Sequence, residues 1–145
     1  MKGLKWWLWI VGVLYLLEGG LLTLRRFMDP EGMAAMWTAT QETGSLDPLA
    51  VEAVLVPTLF VTLYWFVLGV LLLYFAARAP ARAAGLVIVV AALELFAWLP
   101  LDTVTLTQGW SAMRALPLIV VHLAIAGTGI LALRASRAAR GAASV

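Results

Sequence analysis

The chain has 145 residues, 63% of them hydrophobic and 12% charged, where an average soluble domain is about 25% charged. So few charges cannot cover the surface of a soluble globule, which excludes a soluble enzyme, a disordered tail and a nucleic-acid-binding module. Ten basic residues against eight acidic ones leave a net charge of only +2, too little to mark a polyanion binder, and the absence of cysteine excludes disulfides, a thiolate nucleophile and Cys-based metal sites.

Four apolar runs follow one another: Leu4 to about Leu24, Leu49 to Ala77, Ala83 to Pro100 and Ala115 to Leu133. Each is long enough to cross a hydrocarbon layer of about 30 Å as a helix. Unpaired backbone is too costly in lipid for anything but helix or closed barrel, and the alternation of a membrane barrel is absent. The expected fold is therefore all-α, an integral membrane four-helix bundle over residues 1–135 with a tail at 136–145. The first run is expected to be a retained helix rather than a cleaved signal peptide, because no small-residue cleavage site precedes Arg25-Arg26.

The loop after the first run opens with Asp29-Pro30, an N-cap followed by proline in the first turn. Residues 30–43 read as a short helix with Met33, Met36, Trp37 and Thr40 on one face and Gly44 as its stop. It either lies on the outer interface or folds over the bundle as a lid. Asp47-Pro48 repeats the cap signal at the second run. Arg78-Ala79-Pro80-Ala81-Arg82 is a tight link that makes the second and third helices antiparallel neighbours. Residues 101–110 read as a second outer loop, Ser111 as the N-cap of the fourth helix, and residues 136–145 as a frayed tail. With both termini in the cytoplasm, seven Lys/Arg lie inside and three outside, the sense of the positive-inside rule. The expected location is the bacterial inner (plasma) membrane. Arg25-Arg26 is the feature opposed to that orientation.

Ionisable residues within a span are expensive and therefore candidates for function. Glu18, Glu94 and His122 stand out. At about 1.5 Å per residue, each falls roughly 4–6 Å to the outer side of the middle of its helix. Tyr15 and Gly19 share a face with Glu18. Thr58, Thr62 and Trp65 recur at helical spacing, with Pro57 and Tyr64 nearby. Trp98 lies one turn beyond Glu94, and Asp102 one turn further. The expected ligand-binding set is Glu18, Glu94, His122, Asp102, Tyr15, Trp98, Thr62 and Tyr64, lining a cavity open to the outside. The plainer alternative is structural: protonated carboxyls on nearby carbonyls, His122 pairing a carboxylate to fix packing, Asp102 capping or hydrated, and the tyrosines as packing.

No metal or other cofactor is expected. Carboxylate-bridged four-helix sites use Glu-x-x-His pairs, a single histidine cannot give a bis-His haem site, and no Walker, dinucleotide-binding or Gly-x-Ser-x-Gly motif occurs.

The opening Lys2-Gly3-Leu4-Lys5-Trp6-Trp7-Leu8-Trp9-Ile10-Val11-Gly12-Val13-Leu14-Tyr15-Leu16-Leu17 resembles the start of the BphX-like family of small membrane proteins. So do Leu93-Glu94-Leu95 and Ile119-Val120-Val121-His122-Leu123 followed by Gly127-Thr128-Gly129. The resemblance implies four helices in a bacterial membrane and no particular reaction. It carries Glu94 and His122 but not Glu18. Small multidrug transporters also place a Glu in the first helix, but are shorter and lack the long outer loop and the Glu94–His122 pair. Sterol-handling proteins similar to the EXPERA group share the architecture without a matching motif, and DoxX-like proteins share the size and span count.

Three functions stand side by side. One is binding or transport of a small hydrophobic or cationic molecule with acidic anchors. Another is an enzyme or redox accessory using Glu94 and His122 as an acid–base pair. The third is a structural subunit of a membrane complex. The expected partners are the lipid bilayer, such a ligand, and a second copy or another membrane protein; nucleic acid is not among them.

Overall fold

The computed structural model describes residues 2–38, 48–107 and 112–142, and all of its regular structure is helical. In chain order the elements are α1 (Lys2–Met28), α2 (Pro30–Thr38), α3 (Pro48–Arg78), a 3₁₀ turn (Pro80–Arg82), α4 (Ala84–Leu93), a π-helical turn (Glu94–Trp98), α5 (Leu99–Thr107) and α6 (Ala112–Ala142). Among the described residues four helical segments are long and apolar enough to cross a membrane: Lys2–Met28, Val51–Arg78, Ala84–Val104 and Leu116–Ala142. Large apolar side chains such as Ile10, Leu21, Phe60, Phe96, Val120 and Leu131 stand exposed along them. A soluble monomer rarely carries so much apolar surface, and a lipid environment removes it from water.

Two features extend beyond the predicted boundaries. The third apolar helix does not stop at Pro100 but runs on to Thr107, so residues 101–107 are helix, not loop. Pro100 has no N–H to offer the carbonyl one turn back and its ring crowds that carbonyl; the widened turn at Glu94–Trp98 absorbs both. Likewise α6 continues to Ala142, where a frayed tail was expected. The start of α2 is as predicted: Asp29 Oδ1 accepts the Gly32 N–H at 3.0 Å, an N-cap bond with Pro30 in the first turn. Met33 and Ala34 are fully buried, so α2 presses one side onto protein. The predicted residues 39–43, Gly44, Asp47 and Ser111 lie outside the described residues.

The chain divides into two compact units, residues 12–71 and residues 1–11 with 72–145. In the first, α1 and α3 meet at glycines. A Cβ on Gly19 would stand 2.5 Å from the Phe66 nitrogen and 2.6 Å from the Thr62 carbonyl oxygen. One on Gly69 would stand 2.5 Å from the Leu16 nitrogen and 2.8 Å from the Gly12 carbonyl oxygen. Small residues that let backbones touch are how helices hold each other where no hydrophobic effect drives them together. Beside this contact Thr23 Oγ1 donates to Thr62 Oγ1 at 2.9 Å, and Thr62 Oγ1 lies 3.1 Å from the Leu59 carbonyl oxygen.

In the other unit Trp7 takes the corresponding role. Its indole is buried, and Nε1 donates to the Ile125 carbonyl at 3.2 Å and to Thr128 Oγ1 at 3.1 Å. Gly129 leaves room for the ring, since a Cβ there would fall 2.7 Å from Trp7 Cζ2. The α4–π–α5 run packs against α6 along its length.

Replacing Gly69 or Gly19 by Ala forces backbone apart. Each is expected to destabilise the protein by about 1–3 kcal/mol, the usual cost of overpacking. Gly85→Ala meets nothing within 4 Å and is expected to be neutral or slightly stabilising in a helix. Thermal unfolding in detergent checks this; equal midpoints for Gly69→Ala and Gly85→Ala would contradict the packing described.

Candidate functional site

The site is built within residues 72–142, where α6 supplies His122 and the α4–π–α5 run supplies two acids. Glu94 is 1% exposed, and its Oε2 meets His122 Nδ1. On the far side of the same ring, His122 Nε2 lies 2.9 Å from Asp102 Oδ2. The side chains of His122 and Asp102 are each 14% exposed. A single imidazole is thus held through both ring nitrogens by two carboxylates, with the innermost acid sealed and the other end of the row less so.

The π turn explains why both acids reach one histidine. In a regular α-helix, residues eight apart are rotated by about 80° from one another. Glu94 and Asp102 would then face different neighbours. The N–H of Leu99 bonds instead to the Glu94 carbonyl, five residues back. A single wide turn of this kind acts as one extra residue in the helix. Beyond it, Asp102 sits where a residue seven positions on would sit, within about 20° of the Glu94 face. The widening lies immediately before Pro100, which cannot donate to the carbonyl of Phe96. The backbone irregularity is therefore what aligns the two acids.

The remaining predicted residues divide between the two units. Trp98 belongs to the π turn and is partly buried. Glu18, Tyr15, Thr62 and Tyr64 all belong to residues 12–71. Glu18 is partly buried on α1. Tyr15 is buried, and among the described residues its hydroxyl has no hydrogen-bond partner. Thr62 is buried and its hydroxyl serves the α1–α3 contact, and Tyr64 is 39% exposed on α3. Thr58 is also buried, with its hydroxyl turned back to the Val54 and Leu55 carbonyls, a bond within its own helix.

Sequence reasoning missed the anchoring of Trp7 on α6, for which the available signal was a tryptophan in α1 and a Gly-Thr-Gly stretch on a distant helix. It also missed the π turn, for which the signal was Pro100 inside an otherwise unbroken apolar run.

Chemically, the row can hold or pass protons. Neutral imidazole carries one N–H and imidazolium two, so its bonds to the two carboxyls depend on where the protons lie. Among the described residues no cluster of three or more ligating side chains has metal-binding geometry. Compared with known proteins, the chain matches no family model, no curated protein and no solved structure.

Removing one member of a buried ionic pair leaves its partner uncompensated, at about 3–5 kcal/mol, whereas replacing both with apolar residues is often close to neutral. His122→Leu is therefore expected to destabilise strongly, and His122→Leu with Glu94→Leu to recover part of that loss, Asp102 still being left without its partner. Unfolding free energies in detergent check it. A double variant as unstable as the sum of the single ones would show that the two side chains are not energetically paired.

Proposed function

We propose that this is a multi-pass membrane protein, with both termini cytoplasmic, that binds or transports a small cationic molecule at an intramembrane acidic site. The Glu94–His122–Asp102 row exchanges the cation against a proton. The observation that carries the reading is the ratio of two carboxylates to one imidazole inside an apolar helix pair.

With both acids ionised and the ring protonated, the three groups sum to −1. One more proton, or one monovalent cation, brings the sum to zero. A net charge held away from water costs several kcal/mol, so proton and cation compete for the same vacancy. Asp102, less sealed than Glu94, is where a cation exchanges, and His122 conveys the change in charge to Glu94. The partly buried Glu18 of α1 offers a further acidic position outside this row. A neutral hydrophobic molecule has no such competition with a proton, which is why the cationic ligand is preferred here. The acid–base reading of Glu94 and His122 shares the same contact and differs in needing a substrate to undergo a reaction at the ring.

The test uses the purified protein in lipid nanodiscs with tetraphenylphosphonium as the probe cation. Binding is expected to release about one proton per cation, so affinity falls about tenfold for each pH unit of acidification across the titration of the row. The sign follows from competition: lower pH adds the proton that the cation must displace. Glu94→Gln is expected to abolish the proton release. Absence of binding, or binding with no pH dependence, would overturn the reading and leave the row as a packing element.

A further inference from the structure

Outside the row, the unit formed by residues 1–11 and 72–145 carries charge of one sign. Its only acids are Glu94 and Asp102, both facing His122. Lys2 and Lys5 stand at the start of α1, Arg78 at the end of α3, Arg82 in the 3₁₀ turn, and Arg134, Arg137 and Arg140 at the end of α6. All seven are exposed. Among the described residues none of them pairs with a carboxylate.

Hydrogen bonds from Arg140 and Trp7 tie these segments together. Arg140 Nη1 donates to the Ala81 carbonyl at 3.5 Å, joining the end of α6 to the turn that carries Arg82. Arg140 Nε donates to the Ser136 carbonyl, one turn back, at 3.4 Å. Trp7, close after Lys2 and Lys5, hangs on Ile125 and Thr128, ahead of the α6 arginines.

Small residues of these segments turn inward. Ala76, Ala83 and Ser136 are buried, and Ser136 Oγ donates to the Leu133 carbonyl at 2.8 Å. Because α6 stays helical to Ala142, Arg134, Arg137 and Arg140, three apart, span an arc of about 120° on an ordered helix. A frayed tail would have offered the same charges with no fixed geometry.

We infer that this end of the protein is a docking surface for anionic phospholipid headgroups. Orientation in the membrane requires only positive charge. Five of the seven cations are arginine, whose planar fork matches two phosphate oxygens at once. Arg134, Arg137 and Arg140 are exposed at fixed spacing on one ordered helix, so a phosphodiester meets several guanidinium groups at once. Zwitterionic headgroups bring an ammonium that these cations repel.

The experiment is native mass spectrometry of the purified full chain in detergent, with phosphatidylglycerol or phosphatidylcholine added. Phosphatidylglycerol is expected to be retained about tenfold better, the advantage that one or two near-surface cations confer. R134Q/R137Q/R140Q is expected to fall to the phosphatidylcholine level, while R134K/R137K/R140K keeps most of the retention. If the Gln variant does not fold, R78Q/R82Q tests the same surface from the other side. Equal retention of the two lipids, or unchanged phosphatidylglycerol retention in a folded Gln variant, would overturn the inference. Displacement of the lipid by millimolar inorganic phosphate would overturn it too, because the site would then serve free phosphate.

Discussion

An ionisable side chain inside an apolar helix pair persists only where a counter-group meets it, and this constraint organises the unit formed by residues 1–11 and 72–145. Glu94 is 1% exposed and is tolerated because His122 faces it. His122 in turn presents its second nitrogen to Asp102 at 2.9 Å. That second contact exists only because the helix carrying both acids is widened at Glu94–Trp98. Pro100, the π turn, the rotation of Asp102 and the charge of the row form one causal sequence. Close packing of α6 against that helix, with Trp7 seated over Gly129, fixes the histidine's position.

The glycine contacts show the same economy of means elsewhere. Gly19 and Gly69 have no catalytic or ligand role to explain them; each is the point where a helix backbone rests on another. The threonines follow the same logic. Thr62, read from its spacing as a pocket residue, has its hydroxyl engaged with Thr23 and lying close to the Leu59 carbonyl. Polar atoms on apolar helices first satisfy one another, and only what is left over can meet a ligand.

The helical class and the four apolar spans were legible because run length and hydropathy are properties of the sequence itself. The pairing of Glu94 with His122 was legible in outline, since acids and a lone histidine at similar positions along apolar helices must find partners. The place of Asp102 was not. Regular helical counting put it one turn beyond Trp98 in the outer loop, and only the π turn brings it to the ring. The proline that marks this turn read as the end of a helix because proline ends helices in water, where the freed carbonyl is readily solvated. Between packed helices the chain keeps its helix and widens it instead. The end of α6 was obscured because its position at the end of the chain suggested fraying, although an Ala- and Arg-rich segment is a good helix former and stays helical to Ala142.

The central claim is that one imidazole is shared by two carboxyls. Because the protein has a single histidine, nitrogen-15 NMR of histidine-labelled protein in lipid reads that ring without overlap. Both ring nitrogens should show strongly hydrogen-bonded shifts, with Glu94→Gln moving chiefly Nδ1 and Asp102→Asn chiefly Nε2. A ring whose shifts match free histidine, or whose two nitrogens ignore both substitutions, would contradict it.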